Sequence, residues 1–282
     1  MDEAERMAYA YMRMVYALAA ESSHGGLEPV SQEIPRSVAA AWHGREPGTR
    51  GRRPGLSLAT IVDAGLRVAI AEGLAAVSMS RVAKELGAAT MSLYRHVSAK
   101  DELLAHMVDA AFAAAPDPPS PDETWRAGLT RWANAHLAVL RRHRWLVRVP
   151  ISGPPLMPNQ VLWFERGLQC LRATRLPEPE KPAVLLLLNG FVRNEATLEA
   201  DLMQAAQASG MALEDAGAAY GRLLGRLADP ERFPAIHAVL AARAFDPPGT
   251  TADDVQFGLD RILDGIEVLV RARAESNRSS TK

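Results

Sequence analysis

The sequence predicts an all-α protein. Apolar residues recur at helical spacing from residue 57 almost to the end, and no segment shows the sustained apolar–polar alternation that is typical of a strand. With 282 residues, 48% of them hydrophobic and 23% charged, the chain is long enough to bury a substantial core without a metal or a disulfide. We therefore expect helices packed on helices, in more than one domain.

The first 55 residues differ from the rest. Residues 3–20 predict a short amphipathic helix, because their apolar side chains fall at helical spacing. Residues 22–55 are rich in proline and glycine, which predicts a mostly flexible linker with a helical turn around 38–42. This linker ends in a basic arm that contains Arg50, Arg52 and Arg53. The sequence leaves the role of residues 1–45 open between covering the domain, aiding a dimer and binding a partner.

Four short helices are predicted next, at 57–72, 80–86, 90–96 and from after Ser98 to about 114. Gly73 predicts a left-handed cap at the end of the first. Ser78 predicts the N-cap of the second, and Ser98 with Asp101 predicts a capping box before the fourth. The first helix is expected to bury a face formed by Ile61, Ala64, Gly65, Val68 and Ala69.

The second and third of these helices predict a helix-turn-helix. Gly87 between them tolerates the positive φ that a tight turn requires. Small and aliphatic residues suited to the packing seam are Val82, Ala83, Leu86 and Leu93. The outward side of the third helix then carries hydroxyls, an aromatic ring and cations, which suit a DNA major groove: Thr90, Met91, Ser92, Tyr94, Arg95 and His96. Residues 45–100 also hold nine lysines and arginines against four acidic residues, although the whole chain carries a net charge of −1.

Residues 58–111 resemble the DNA-binding domain of TetR-family regulators. The matching runs are Ala83-Lys84-Glu85-Leu86-Gly87, Leu93-Tyr94-Arg95-His96-Val97 and Lys100-Asp101-Glu102-Leu103-Leu104. The remainder more loosely resembles the tetracycline-repressor-like effector domain, through residues 148–155 and the segment Asn189-Gly190-Phe191. The first 45 residues depart from the short arm that is usual in the family.

The resemblance implies a role for each matching residue. Thr90, Met91, Ser92 and Arg95 would face base edges. Tyr94, His96 and Lys100 would hold the phosphate backbone, with Ser78 and Arg81 contributing from the second helix. Arg50, Arg52 and Arg53 would enter the adjacent minor groove. The alternatives are that Tyr94 packs between helices, His96 is structural, Arg95 is a solvated charge and the arm is a disordered linker.

The rest of the chain also reads as helices. Ser120, Pro121 and Glu123 predict a helix start after a proline-rich break. Helices are predicted at 121–143, 158–173, 180–208, 212–228, 231–243 and 251–274, with a capping box at Thr251 and Asp254 before the last. Polar groups within their apolar stripes predict a small-molecule site formed by Trp132, His136, Trp163, Phe164, Asn189 and Asn194. The alternative places these aromatic residues in the core and the polar residues on the surface.

The helices at 180–208 and 251–274 are the candidates for a homodimer interface. Residues 184–188 are apolar on more than one side, and the last helix carries a broad apolar stripe. Ordinary intramolecular core is the alternative explanation of both patterns.

No catalytic or metal constellation stands out. The seven histidines include no metal-ligand pair of usual spacing, and we find neither a phosphate-binding glycine loop nor a nucleophile elbow. We therefore expect no enzyme activity, no metal and no cofactor. No apolar run reaches the roughly 18 residues that span a bilayer. A single cysteine, Cys170, fits a reducing compartment, so we expect a cytoplasmic protein without a membrane partner.

These expectations combine into one architecture. Residues 1–49 would be an N-terminal extension, residues 50–114 a three-helix helix-turn-helix domain, and residues 115–282 a helical effector-binding and dimerisation domain. The predicted function is that of a dimeric regulator, most simply a repressor, that binds a palindromic operator in double-stranded DNA and is released by a small-molecule effector. The alternative is an architectural DNA-binding protein without ligand control.

Overall fold

The computed structural model describes residues 34, 36–43, 56–151, 154–210, 212–246 and 251–279. Within these ranges the chain forms helices joined by turns and short 3₁₀ segments, without a strand, which confirms the all-α class. The predicted helix at 3–20 and the arm residues Arg50, Arg52 and Arg53 lie outside the described ranges. The chain divides into two compact units, residues 1–193 with 266–282 and residues 194–265. The three-domain division stays a prediction.

Helix α1 (Arg36–His43) occupies the middle of the predicted linker and is longer than the expected turn. Its Trp42 donates the indole N–H to the main-chain oxygen of Leu156, at 2.8 Å. This bond joins the N-terminal extension to the loop that precedes the helix beginning at Pro158.

Helices α2 (Leu58–Glu72), α3 (Met79–Leu86), α4 (Thr90–Leu93) and α5 (Lys100–Ala111) form the first helical cluster. The Ser57 hydroxyl accepts the Thr60 N–H, and the Thr60 hydroxyl accepts the Ser57 N–H, which closes the N-terminus of α2. The predicted inward face of α2 is buried throughout, as expected. A Cβ added at Gly65 would lie 2.7 Å from the Met107 sulfur, so glycine is what lets α5 approach α2 closely.

Three local predictions in this cluster are wrong. Gly73 ends α2 at a positive φ, as predicted, but its φ of 85° and ψ of 167° are extended and not left-handed helical. The cap position of α5 is Ala99 instead of Ser98, so no Ser98–Asp101 capping box forms, and Ser98 donates its N–H and hydroxyl to the Glu102 carboxylate. Helix α4 ends at Leu93, three residues earlier than predicted, and residues 94–96 form a turn in which the Leu93 carbonyl accepts the N–H groups of His96 and Val97.

Helix α6 (Trp125–Arg142) begins later than predicted. Thr124 is its N-cap and accepts the Ala127 N–H at 3.2 Å. The predicted start at Ser120–Glu123 is wrong: the Glu123 N–H closes a turn on the Ser120 carbonyl. The Glu123 carboxylate instead binds the Arg131 guanidinium at 2.9 and 2.7 Å, and these hydrogen bonds lower the Glu123 pKa.

The remaining helices agree with the predicted ones to within a few residues. After a 3₁₀ segment (Arg144–Arg148) they are α7 (Pro158–Cys170), α8 (Glu180–Ser209), α9 (Leu213–Leu227), α10 (Pro234–Ala241) and α11 (Thr251–Ser279). In the first unit α6 and α7 pack closely: a Cβ on Gly128 would lie 2.9 Å from the Cys170 sulfur. None of the described helices has the length and apolar character that crossing a membrane requires.

The second unit contains the end of α8, helices α9 and α10, and the first part of α11. Val255, Leu259 and Leu263 of α11 are buried within the chain, so part of the predicted dimer stripe is intramolecular core. The Tyr220 and Phe245 rings meet edge to face at 5.2 Å, and the His237 ring nitrogen Nε2 lies 2.7 Å from the Ala228 carbonyl oxygen.

Candidate functional site

The turn between α3 and α4 depends on Gly87. Its φ of 62° and ψ of 29° are left-handed helical, as predicted, and a side chain would strain this conformation. The Gly87 and Ala88 N–H groups bond to the Lys84 and Ala83 carbonyls at 3.2 and 3.0 Å. The chain therefore ends α3 and starts α4 within three residues.

Helix α4 and the turn after it are anchored by two apolar residues. Leu93 and Val97 are fully buried, which orients the intervening and flanking residues outward. Met91 is 74% exposed and Tyr94 is 44% exposed. Arg95, His96 and Lys100 are also exposed, whereas Thr90 and Ser92 are half-buried. We call this set the α4 face; its members are Thr90, Met91, Ser92, Tyr94, Arg95, His96 and Lys100.

The cations of the α4 face are available to a partner. The side chains of Arg95, His96 and Lys100 form no hydrogen bond or ion pair with any residue of the described ranges. The charges of Arg95 and Lys100, and the donors of all three side chains, are thus open to solvent beside the turn and free to pair with a polyanion.

The two candidates on α3 are already engaged. Ser78 caps the helix by accepting the Arg81 N–H at 3.1 Å, which confirms the predicted cap. The Arg81 guanidinium binds the carboxylates of Glu72 and Glu85, and these hydrogen bonds lower the pKa of both acids. A phosphate contact by Arg81 requires it to exchange a carboxylate for the phosphate, and it stays a prediction.

An aromatic cluster forms where α5, α6 and α7 meet. Its members are Phe112, Trp132, His136 and Trp163. The Phe112 ring lies edge to face against His136 at 5.2 Å and against Trp163 at 5.5 Å, and Trp132 meets His136 at 5.3 Å. The sequence prediction named three of the four residues and missed Phe112. The sequence feature that could have identified Phe112 is its position just after the last turn of α5.

The indole groups of the cluster are satisfied by main-chain oxygens. Trp132 donates to the Trp163 carbonyl at 2.9 Å, and Trp163 donates to the Phe112 carbonyl at 2.8 Å. His136 differs, because its buried Nδ1 has no hydrogen-bond partner among the described residues. Burial, with a smaller contribution from the Arg193 charge, lowers the His136 pKa to about 4, so the ring is neutral at pH 7.

Arg193 of α8 is a second residue that the sequence prediction missed. Its Nη2 donates to the carbonyls of Leu146, Val147 and Val149, at 3.3, 3.2 and 2.7 Å. It therefore satisfies the C-terminal end of the 3₁₀ segment, where a cation is favoured. Burial lowers the Arg193 pKa.

The other predicted effector residues lie outside the four-residue aromatic cluster. Phe164 and Asn189 are half-buried in the first unit, and Asn194 is exposed at the start of the second. Their membership of an effector site stays a prediction. Two cavities lie away from the aromatic cluster. One of about 600 Å³ lies beside Arg172 and Arg175, and one of about 420 Å³ lies in the second unit beside His237 and Phe245. No metal-holding group of His, Cys, Asp or Glu side chains occurs in the described ranges.

Comparison with known proteins covers both halves of the molecule. Residues 61–107 match the family described as bacterial regulatory proteins, tetR family, and residues 117–270 match the tetracyclin repressor-like C-terminal domain. The chain is 38% identical over 245 residues to the HTH-type transcriptional repressor DrrR1 of Streptomyces coeruleorubidus, covering 86% of this chain and 89% of that protein.

Solved structures agree with these matches. Apo ActR of Streptomyces coelicolor superposes with a TM-score of 0.63 at 26% identity, over 77% of this chain and 99% of ActR. ActR in complex with actinorhodin gives a TM-score of 0.63 at 28% identity, over 76% of this chain and 96% of that one. The chain therefore belongs to the TetR family of bacterial transcriptional regulators.

Proposed function

We propose that this protein is a homodimeric repressor that binds a palindromic DNA operator and releases it when a small molecule binds. The observation that carries the proposal is the α4 face, whose exposed cations have no partner in the described ranges. Two such faces, about 34–36 Å apart, meet successive major grooves on one side of the duplex.

Each residue of the DNA contact has a proposed role. Thr90, Met91, Ser92 and Arg95 read base edges. Tyr94, His96 and Lys100 bind phosphates, assisted by Ser78 and Arg81 of α3. The arginines of the N-terminal arm, Arg50, Arg52 and Arg53, extend into the minor groove. The exposure of Tyr94 and Arg95 supports these roles over packing between helices.

The proposed dimer uses α8 and α11. Both helices expose large apolar side chains that a second subunit would cover. On α8 these are Leu187, Leu198 and Leu202, and on α11 they are Phe257 and Val268.

The proposed effector is an aromatic compound that enters among Phe112, Trp132, His136 and Trp163. Three aromatic rings supply stacking surface, and the unpartnered Nδ1 of His136 supplies a hydrogen-bonding group. The cluster also contacts the end of α5. Expansion of the cluster would therefore shift α5, the helix that joins the helix-turn-helix to the rest of the chain. The protein acts by binding alone, without catalysis, in the cytoplasm where its DNA lies.

A mobility shift with the full chain tests the proposal. The probe is the DNA flanking its own gene, and actinorhodin is the first effector tried because ActR binds it. The double variant Tyr94→Ala/Arg95→Ala should lose specific binding by at least about a hundredfold while staying dimeric, since each base-edge or phosphate contact is worth about 1–3 kcal/mol. Arg226→Ala, which removes an exposed arginine of α9, is the matched control.

Two results separate the alternatives. Retained specific binding by the double variant would overturn the DNA site. DNA binding that responds neither to actinorhodin nor to any compound that co-purifies in native mass spectrometry would favour the ligand-independent architectural role.

A further inference from the structure

A buried carboxylate lies in the last turn of α5. The Asp109 residue is only 7% exposed, which is unusual for an acid, since a buried carboxylate needs partners to offset its desolvation. Burial raises the Asp109 pKa, and hydrogen bonds from Gln160 and Asn159 act against that rise. No sequence pattern marks Asp109 as a functional residue.

The carboxylate is held by the first turn of α7. Its Oδ1 accepts the main-chain N–H groups of Asn159 and Gln160, at 2.9 and 3.1 Å. Its Oδ2 accepts the Asn159 side-chain amide at 2.9 Å, and that amide also donates to the Asp109 carbonyl at 3.0 Å. We call these four bonds the Asp109 latch.

Helix α7 has no cap of its own. Met157 at the cap position provides no side-chain hydrogen bond, and Pro158 occupies the first helical position, where its missing N–H costs nothing. The next two N–H groups are those that a capping side chain normally satisfies. Here a residue 50 positions earlier supplies that cap and places its negative charge at the positive end of the α7 dipole.

One turn further along, the same two helices meet again. The Phe112 carbonyl, three residues after Asp109, accepts the indole N–H of Trp163, four residues after Asn159, at 2.8 Å. The Phe112 ring also lies against His136. A molecule entering the aromatic cluster therefore disturbs the contact adjacent to the latch.

Before Asp109, α5 packs on α2, the first helix of the cluster that carries the α4 face. Leu103 and Met107 are fully buried, and the Met107 sulfur lies against Gly65 of α2. A displacement of α5 at Asp109 therefore moves α2 rather than being absorbed between them.

We propose that the Asp109 latch holds the arrangement that binds DNA, and that effector binding in the aromatic cluster acts by opening it. The inference rests on the proposed function and adds the residues through which it is regulated. Asp109 and Asn159 are positioning residues: neither lies on the α4 face, yet both set the placement of that face.

The test measures operator affinity of the full-length dimer by fluorescence anisotropy, without effector. The operator is the fragment selected from random DNA by the wild-type protein. Asp109→Ala should weaken binding at least tenfold, because three donors lose their acceptor and α7 loses its cap. Asp109→Asn keeps a side-chain oxygen for the two main-chain N–H groups and should weaken operator binding about threefold. If the alanine variant does not fold, the operator affinity of this milder variant tests the latch instead.

Thr124→Ala is the matched control. It removes the side-chain cap of α6 without touching α5, so it reports the general effect of losing a helix cap. The latch is overturned if Asp109→Ala leaves affinity within twofold or increases it, or if Thr124→Ala weakens binding equally. Failure of the wild-type chain to bind any selected DNA would instead overturn the proposed function itself.

Discussion

The α4 face and the aromatic cluster are built on opposite principles. On the α4 face the cations of Arg95 and Lys100 are exposed and bind nothing in the described part of the chain. In the cluster, the two indole N–H groups are buried and bonded to carbonyls, and only the His136 Nδ1 has no partner in the described ranges.

This difference predicts how substitutions act at each place. Side chains of the α4 face contribute little to folding, so replacing them changes DNA affinity at nearly constant stability. Side chains of the cluster are packed ring against ring, so replacing them lowers the stability of the fold. A change in the ligand response then follows from that loss of stability. Measurements of both quantities on the same variants therefore distinguish the two regions.

The largest effect is expected in the cluster. Trp163→Ala should lower the free energy of unfolding by about 3–5 kcal/mol, because it removes a buried ring and leaves the Phe112 carbonyl without its donor. Met91→Ala on the α4 face should change it by no more than about 0.5 kcal/mol. Urea denaturation of both variants checks the pair. Comparable losses in the two variants would contradict this difference between the two regions.

A smaller effect should depend on pH. The unfolded chain protonates His136 near pH 6.5, whereas the folded chain does so only near pH 4. Between these values the unfolded state binds more protons, so acidification destabilises the fold, by about 3 kcal/mol in full and about 2 kcal/mol at pH 5. His136→Gln should remove this part of the loss between pH 7 and pH 5 in chemical denaturation. The exposed His96→Gln is the control, and an equal pH dependence in wild type and His136→Gln would show the assignment to be wrong.

The α4 face was predictable from sequence because its determinants are local. Gly87, the buried pair Leu93 and Val97, and the polar residues between them lie within eleven positions of one another. Turn geometry and helical periodicity are enough to place such residues. Prediction was wrong where two local hydrogen-bonding patterns compete. Ser98 was predicted to be the N-cap of α5, but the Ser98 N–H donates to the Glu102 carboxylate and Ala99 occupies the cap position.

The cluster was only partly predictable because its contacts are distant in sequence. Trp132, His136 and Trp163 stood out as large residues in apolar stripes. The place of Phe112 in the cluster, and the bonds that Asn159 donates to Asp109 50 residues earlier, depend on how α5 packs on α7. No local pattern marks Asp109, which looks like an ordinary surface acid on a helix until its partners are known.

The smallest expected effect returns to the α4 face and isolates one charge. Lys100→Ala should weaken operator binding by about tenfold at moderate salt, because one phosphate contact per subunit is lost. The plot of log affinity against log salt concentration should also become shallower by about one for each subunit of the dimer. Anisotropy titrations from about 50 to 200 mM salt cover the range in which this term is largest. Arg226→Ala removes an equal charge from α9 and should leave the slope unchanged. If both variants flatten the slope alike, Lys100 acts through the overall charge of the protein, and its assignment to a phosphate is lost.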